Sequence, residues 1–168
     1  MNKVHKLVIT ALIAAVYAAV TIFLAPISYG MIQVRVSEAL TILPFFSPYS
    51  IVGLFLGCVI SNLYSPIGPL DIIVGSLATI ISAVITYFIG KIKIKFARYI
   101  APLPAVIING IFIGALISNV FSNGNFASFF SSALWVGIGE AVACYVLGLP
   151  LLIFIDKKES IKKIIQMK

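Results

Sequence analysis

The feature that most constrains this chain is its series of long apolar runs, which leave little polar sequence between them. These runs predict six helices, at about residues 7–25, 37–47, 50–63, 70–90, 104–121 and 130–155. A helix that crosses a bilayer needs about 20 apolar residues, so such crossings use up nearly the whole chain. Hydrophobic residues make up 61% of the chain and charged residues only 10%, which is typical of a protein whose solvent is lipid. The sequence therefore predicts an all-α integral membrane protein, a six-transmembrane-helix bundle that forms a single domain over residues 1–168.

The second predicted helix is unusually short. It begins near Ser37, a residue type that caps helices well, and it ends before Pro44 or Pro48. About ten residues are too few for an ideal α-helix to cross a bilayer upright. We therefore expect either that this helix starts deep in the membrane or that the preceding segment, residues 27–36, dips into the protein. That segment is a candidate lid over a pocket.

The basic residues predict the orientation of the bundle. With the N-terminus inside and six crossings, every one of the 12 Lys and Arg residues except Arg35 falls on the inner side. These inner residues are Lys3, Lys6, Lys91, Lys93, Lys95, Arg98, Lys157, Lys158, Lys162, Lys163 and Lys168. Cytoplasmic loops of membrane proteins carry such an excess, so both termini are predicted to be cytoplasmic and the protein to be multi-pass in the plasma membrane. A five-span alternative would place the tail lysines outside and remove the asymmetry.

The net charge of +7 does not predict binding to nucleic acid. Nucleic-acid sites gather their basic residues into a groove or stripe, whereas here they lie in short clusters between apolar runs. The expected surroundings are the lipid bilayer and its anionic headgroups.

Three acidic residues interrupt the apolar sequence: Glu38, Asp71 and Glu140. A charged side chain near the centre of a transmembrane helix costs roughly 2.5–3.5 kcal/mol, so each of these residues requires a partner or a function. In the six-helix topology all three lie in the outer half, where other polar or aromatic residues also fall: Gln33, Arg35, Asn62, Asn119 and Trp135. These eight residues are the candidates for a substrate-binding pocket that opens outward.

Several of the candidates also have ordinary structural explanations. Asp71 could cap the helix that it begins, because helix N-termini favour carboxylates. Arg35 and Glu38, three residues apart, could simply pair with each other, and Trp135 could anchor the protein at the membrane interface. Glu140 lies about ten residues inside the last predicted helix, roughly 15 Å along its axis, where none of these explanations applies. For Glu140 a functional role is favoured.

The first predicted helix carries a regular series of small residues. Ala11, Ala15 and Ala19 repeat every four residues and so form one smooth face, of the kind that lets membrane helices approach closely. This face could pack inside the bundle, or it could dock on another membrane protein.

The sequence holds no catalytic arrangement. Its single histidine, His5, lies at the predicted cytoplasmic end, and no P-loop is present. We therefore expect no enzyme activity, no cofactor and no metal. Two other classes stay open as alternatives: a self-sufficient secondary transporter, against which the chain shows no inverted repeat, and an intramembrane enzyme, for which the acids lack metal-ligand spacing.

Two segments resemble a known family. They are IQVRVSEALTILPFFSPYSIVGLFLGCVISN at residues 32–62 and DIIVGSLATIISA at residues 71–83. Together with the alanine-rich first helix, they are similar to the QueT family of queuosine-precursor transporters. That family belongs to the S-components, the substrate-binding subunits of energy-coupling-factor (ECF) transporters.

The resemblance implies a non-enzymatic subunit that captures a 7-deazaguanine base from outside the cell. It implies as partners a transmembrane coupling protein and two cytoplasmic ATPase subunits, with Ala11, Ala15 and Ala19 as the docking face. Within the similar segments it points to Gln33, Arg35, Glu38, Asn62 and Asp71 as positions near the substrate. A carboxylate such as Glu38 or Glu140 suits the paired N–H groups of the base, and Trp135 could stack on its ring. An S-component for a vitamin or another small molecule is the nearest alternative.

Overall fold

The computed structural model describes residues 3–30, 33–92, 94 and 96–166. Its principal helices are α1 (Lys3–Phe23), α2 (Tyr49–Asn62), α3 (Pro69–Lys91), α4 (Leu103–Ser122), α5 (Phe126–Lys157) and α6 (Glu159–Gln166). A 3₁₀ segment, Val36–Phe45, precedes α2, and single helical turns lie at Ala25–Ser28 and Ala97–Ile100. Lys93, Lys95 and Lys168, which the charge pattern places on the inner side, lie outside the described residues, as do Met31 and Ile32 of the candidate lid.

Four helices are long and apolar enough to cross a membrane: Lys3–Phe23, Pro69–Lys91, Ala97–Ser122 and Phe126–Lys157. Two further apolar helices, Val36–Phe45 and Tyr49–Asn62, are shorter. The described part of the chain contains no β-strand, which agrees with the predicted all-α membrane bundle. The count of six crossings and the cytoplasmic position of both termini stay predictions.

Helices α1 and α2 run in the same direction and pack closely. Gly53 of α2 lies against Thr10 of α1, and Gly57, one turn further on, lies against Ala14. A Cβ added at Gly57 would come within 2.9 Å of the Ala14 carbonyl oxygen. Only glycine leaves room for this approach, which is how small residues bring membrane helices together.

The 3₁₀ segment returns between these two helices. At its start, Ser37 Oγ lies 2.6 Å from Thr21 Oγ1 near the end of α1, while at its other end Phe45 packs on Gly90, near the end of α3. A 3₁₀ helix rises about 2.0 Å per residue, so ten residues reach roughly 20 Å, whereas an α-helix of that length reaches about 15 Å. The sequence predicts a short helix over residues 37–47. The structure gives it the more extended 3₁₀ form, and the extra rise brings the chain further through the bundle.

Helix α5 changes its winding part of the way along. It is α-helical over Phe126–Ala141, π-helical over Val142–Gly148 and α-helical again over Leu149–Lys157. The π-helical stretch packs on the 3₁₀ segment, and a Cβ added at Gly148 would lie 3.1 Å from the Ala39 carbonyl oxygen. Wide π-helical turns are rare and occur often at functional sites. Here two unusual helical forms face each other.

One end of the bundle collects most of the described basic residues. Lys6 Nζ lies 2.7 Å from the Tyr49 hydroxyl, at the starts of α1 and α2. Asp156, at the end of α5, pairs with Arg98 at 3.6 Å and with Lys162 of α6 at 2.7 Å. Arg35 lies at the opposite end, where α1 ends and α3 begins. The asymmetry of charge along the sequence is therefore also an asymmetry between the two ends of the fold.

Candidate functional site

A buried ion pair joins the 3₁₀ segment to the first turn of α3. Arg35 Nη2 lies 3.2 Å from Asp71 Oδ2, and the two side chains are only 3% and 0% exposed. Asn62, the last residue of α2, donates from Nδ2 to the Asp71 carbonyl oxygen at 2.9 Å. A Cβ at Gly75 would lie 2.6 Å from this amide nitrogen, so the site requires a glycine there.

This pair differs from the one that residue spacing suggests. Arg35 does not form an ion pair with Glu38, three residues later. Its backbone is extended (φ −84°, ψ 95°), which directs it away from the turn that follows, and its guanidinium instead reaches α3. Asp71 provides no side-chain cap for α3. Its carboxylate serves the ion pair.

Glu38 is completely buried in the interior of the bundle. The Tyr17 hydroxyl of α1 donates a hydrogen bond to Glu38 Oε1. The second carboxyl oxygen, Oε2, has no hydrogen-bond partner among the described residues. Glu38 therefore presents one occupied and one open acceptor.

Glu140 lies in α5, immediately before the π-helical stretch, and is 2% exposed. Its Oε2 atom is 3.9 Å from Cys144 Sγ, a weak contact. The buried side chain of Asn109, in α4, lies beside both Glu140 and Glu38. The two acids thus approach a common amide from different helices.

The two acids and the ion pair form a polar cluster whose hydrogen bonds are incomplete. We use the name polar cluster for Arg35, Glu38, Asn62, Asp71, Asn109 and Glu140. Among the described residues, the buried atoms without a partner include Arg35 Nε, Glu38 Oε2, Asn62 Oδ1 and Asp71 Oδ1. A buried polar atom left unpaired costs about 1–3 kcal/mol, so several in one place indicate a site that a ligand or water completes.

A cavity of about 430 Å³ opens beside the polar cluster, within the usual range of small-molecule sites. It is lined by Tyr29, Gly30, Gln33, Pro66, Ile67, Ile117, Phe121, Ser122, Ser128, Ser131 and Ser132. Tyr29 connects the cavity to the cluster, because its ring centroid lies 5.6 Å from the Arg35 guanidinium carbon. Gln33 is buried and has a positive φ of 47°, a conformation that costs energy for a residue with a Cβ.

Two of the predicted site residues lie apart from the polar cluster. Asn119 is exposed and donates to the Ala115 carbonyl oxygen at 2.8 Å, within its own helix. Trp135 is 48% exposed, as expected of a residue at the membrane interface. Neither residue lines the cavity.

The alanine face of α1 points out of the bundle. Ala11, Ala15 and Ala19 are exposed, whereas their neighbours Ala14 and Ala18 are buried against other helices. Ala14 and Ala18 therefore belong to the face of α1 that packs inside the bundle, together with Ile13, Tyr17 and Thr21. The regular series of three alanines is left free for a contact outside this chain.

Sequence reasoning did not select two members of the site. Tyr17 reads as one more apolar residue of a membrane helix, although its hydroxyl binds Glu38. Asn109 lies deep in an apolar run and is not among the predicted site residues, although a buried amide in a membrane helix needs a partner as much as an acid does. The cavity serines 128, 131 and 132 carried no signal, because isolated serines are common in membrane helices.

Comparison with known proteins agrees with these features. Residues 7–157 match the model of the QueT transporter family. Over 82 residues the chain is 42% identical to the queuosine precursor transporter QueT of Lactococcus lactis subsp. cremoris (strain MG1363). That alignment covers 48% of each chain, so it spans about half the length of the relative. No solved structure matches the chain.

The family match covers most of the chain. It includes the four long apolar helices, except for the first four residues of Lys3–Phe23, and the whole polar cluster. The resemblance of residues 32–62 and 71–83 to this family is thereby confirmed. The chain is a multi-pass protein of the cell membrane, and it belongs to the QueT transporter family, whose members are transporters rather than enzymes.

Proposed function

We propose that this chain is the membrane-embedded substrate-binding subunit, or S-component, of an ECF-type ATP-driven importer, and that it captures 7-deazaguanine precursors of queuosine from outside the cell. The observation that carries the proposal is the incompletely satisfied polar cluster beside a cavity of about 430 Å³. The name of the Lactococcus relative, a queuosine precursor transporter, supports the same substrate class.

The chemistry of the polar cluster suits such a base. A 7-deazaguanine presents a ring N–H and an exocyclic NH₂ side by side, which one carboxylate can accept together. Its carbonyl oxygen requires a donor, which an amide or a guanidinium supplies. The polar cluster provides all of these groups within the apolar interior, where hydrogen bonds discriminate strongly between ligands.

The proposed topology has six crossings, with the cavity facing outward and both termini in the cytoplasm. In support, the cavity lies at the end of the bundle opposite Lys6, Arg98 and Lys162, and basic residues favour the cytoplasmic side. The 3₁₀ segment and α2 would make the second and third crossings, helped by the greater rise of the 3₁₀ form.

The base would reach the acids from the cavity. Gln33 lines the cavity, and Arg35 and Glu38 follow it inward along the chain. Since both acids are buried, the base reaches them only if side chains that line the cavity, such as Gln33 and Tyr29, move aside. The positive φ of Gln33 indicates that this segment is already under backbone strain.

The first experiment is calorimetric titration of the detergent-purified chain with 7-deazaguanine bases, with guanine and riboflavin as comparison ligands. We expect sub-micromolar binding of a deazaguanine by the chain alone, because an S-component captures its substrate before it associates with the coupling protein and the ATPase subunits. Failure of every deazaguanine to bind would contradict the proposed substrate. Mass spectrometry of a co-purified small molecule would then identify an S-component for another compound.

A second experiment tests the proposed partners, a transmembrane coupling protein and two ATPases. Ala15→Leu should abolish co-purification with the coupling module, because a branched side chain prevents close approach on the exposed alanine face. The control is Ala127→Leu, a change at an exposed alanine of α5. Equal co-purification of both variants would contradict docking through α1.

The alternative of a self-sufficient secondary transporter is tested in proteoliposomes. The chain alone should bind the base without carrying it across the membrane. Uptake into liposomes that hold no coupling protein and no ATPase would replace the S-component proposal with secondary transport.

A further inference from the structure

Another cavity, of about 440 Å³, lies where α1 and α2 begin, at the end of the bundle opposite Arg35. Two of the side chains that line it are cationic, and none of the chain's five acidic residues, all of which the structure describes, lines it. Its lining residues are Lys3, Lys6, Leu7, Thr10, Tyr49 and Val52. Neither lysine forms an ion pair within the described part of the chain. The cavity therefore holds a local excess of positive charge.

The contact between Lys6 and Tyr49 prepares one wall of this cavity for an anion. Lys6 Nζ lies 2.7 Å from the Tyr49 hydroxyl oxygen and 4.5 Å from the centroid of the Tyr49 ring. The ammonium donates to the hydroxyl oxygen, so the phenolic proton is left to donate to another group. The ring holds the ammonium in place without neutralising it. The pair can therefore present an ammonium N–H and a phenolic O–H to one anion.

The direction of the two helices adds to the positive potential at the cavity. Because α1 and α2 run in the same direction, the positive ends of both helix dipoles lie there. Pro48, the residue before α2, provides no side-chain cap for that helix. Lys3 lies about one turn before Lys6, so both lysines reach the same cavity. Several donors and two ammonium groups in one place suit an anion with several oxygens, such as a phosphate.

Apolar surface leads away from the cavity along α2. Val52 lines the cavity, and Leu56 and Ile60 follow it at intervals of four residues, on the same face of the helix. Each of these three side chains is between 41% and 50% exposed. Leu7 of α1, also exposed, lines the cavity with Val52. A free phosphate ion would gain nothing from this strip, whereas an acyl chain attached to the phosphate would bury it.

We infer that the cavity between the starts of α1 and α2 binds an anionic phospholipid. Lys3, Lys6 and Tyr49 hold its phosphate, and one acyl chain lies along the exposed strip of α2. A lipid with a choline headgroup fits less well, because its own cation meets two lysines and no acid lines the cavity to accept it. The inference goes beyond the proposed function and does not depend on the substrate proposed for the polar cluster.

The test adds dioleoyl phosphatidylglycerol or dioleoyl phosphatidylcholine to the purified full-length chain in detergent, and native mass spectrometry measures the bound lipid. The two lipids share their acyl chains and their phosphate and differ in net charge. Each lysine near a membrane surface contributes about 1 kcal/mol to the attraction of an anionic lipid. We therefore expect phosphatidylglycerol to bind at least about tenfold more tightly. Equal affinities would overturn the inference, and this comparison requires no variant.

Variants then assign the lipid to this cavity. The double variant Lys3→Gln, Lys6→Gln should bind the two lipids with equal affinity. Its control is Lys157→Gln, Lys163→Gln, which removes the same charge from two exposed lysines that do not line the cavity and should keep the preference. Tyr49→Phe keeps the ring and removes the hydroxyl. It should weaken phosphatidylglycerol by about threefold, as the loss of one hydrogen bond does.

Three results would contradict the inference. A preference for phosphatidylglycerol that persists in Lys3→Gln, Lys6→Gln would place the lipid elsewhere on the chain. An equal loss in both double variants would show that net charge alone attracts the lipid. Displacement of phosphatidylglycerol by an excess of inorganic phosphate would make the cavity a site for a soluble anion. Deazaguanine binding, measured by calorimetry, should be the same in every one of these variants, so the proposed function is tested separately.

Discussion

The two halves of the polar cluster differ in how their charges are balanced. In one half, Arg35 and Asp71 form an ion pair that Asn62 supports through a hydrogen bond. In the other, Glu38 and Glu140 lie beside Asn109, and neither forms an ion pair within the described part of the chain. The first half holds the 3₁₀ segment against α3, so its role is structural. The second half is costly as it stands, which is typical of groups kept for binding.

The largest expected effect comes from breaking the balanced half. Asp71→Asn leaves Arg35 buried without a counter-charge and should destabilise the fold by about 3–5 kcal/mol. Thermal unfolding in detergent measures the loss. The control is Asp156→Asn, which weakens the partly exposed pairs with Arg98 and Lys162. It should cost about 0–1 kcal/mol. Equal losses of stability in the two variants would show that the buried ion pair does not hold the 3₁₀ segment against α3.

The next effect concerns the packing that holds the balanced half in place. Gly75→Ala adds a Cβ 2.6 Å from Asn62 Nδ2 and should cost about 1–3 kcal/mol, because this amide cannot move without losing its bond to Asp71. The control is Gly137→Ala in α5, where nothing lies within 4 Å of the added Cβ. A stability gain in both variants would contradict the tight packing of Asn62.

Tyr17→Phe tests the link between α1 and the unbalanced half. The change removes the hydroxyl that bonds Glu38 and keeps the buried ring, so unfolding should become easier by about 1 kcal/mol. Tyr64→Phe, at an exposed ring, should leave the melting temperature unchanged. Unchanged melting of Tyr17→Phe as well would mean that Glu38 does not depend on this hydrogen bond.

The smallest expected effect is a gain in stability, where the preceding variants lose it. It distinguishes Glu38 and Glu140 from the Arg35–Asp71 pair. Without ligand, Glu38→Gln and Glu140→Gln should leave the free energy of unfolding unchanged or raise it by about 1 kcal/mol, because each removes a buried acid that forms no ion pair among the described residues. Thermal unfolding of the empty protein measures this. A large loss of stability in either variant would assign that acid to the structural half.

The helices could be predicted from sequence because their cause is local. In lipid, a backbone must satisfy its own hydrogen bonds, so each apolar run becomes a helix whatever surrounds it. Prolines and polar residues then mark the ends, and α3 begins at Pro69 after the Ser65–Gly68 turn. The 3₁₀ form of Val36–Phe45 and the π-helical turns of Val142–Gly148 were not predictable, because both depend on the packing of these segments against each other.

The candidate site was predicted in its residue types and not in its pairings. The acids were conspicuous, since charge inside an apolar run is expensive. Residue spacing suggested a pair between Arg35 and Glu38, whereas Arg35 binds Asp71 on another helix. Asn119 and Trp135 share the depth of the cluster residues along the sequence, yet they lie outside it because their side chains are exposed. The depth of a residue in the membrane follows from its position along the helix. The direction of its side chain follows from how that helix is rotated in the bundle.

By itself, the sequence determined that the chain is helical, that it is inserted in the lipid bilayer and that its acidic and basic residues are segregated along it. These properties follow from composition and order, because the cost of exposing a peptide group or a charge to lipid is paid residue by residue. Only the tertiary structure decided that Arg35 pairs with Asp71, while Glu38 and Glu140 form no ion pair with any residue that the structure describes. Electrostatic balance depends on distances in space, and these are set by the close approach of helices far apart in sequence.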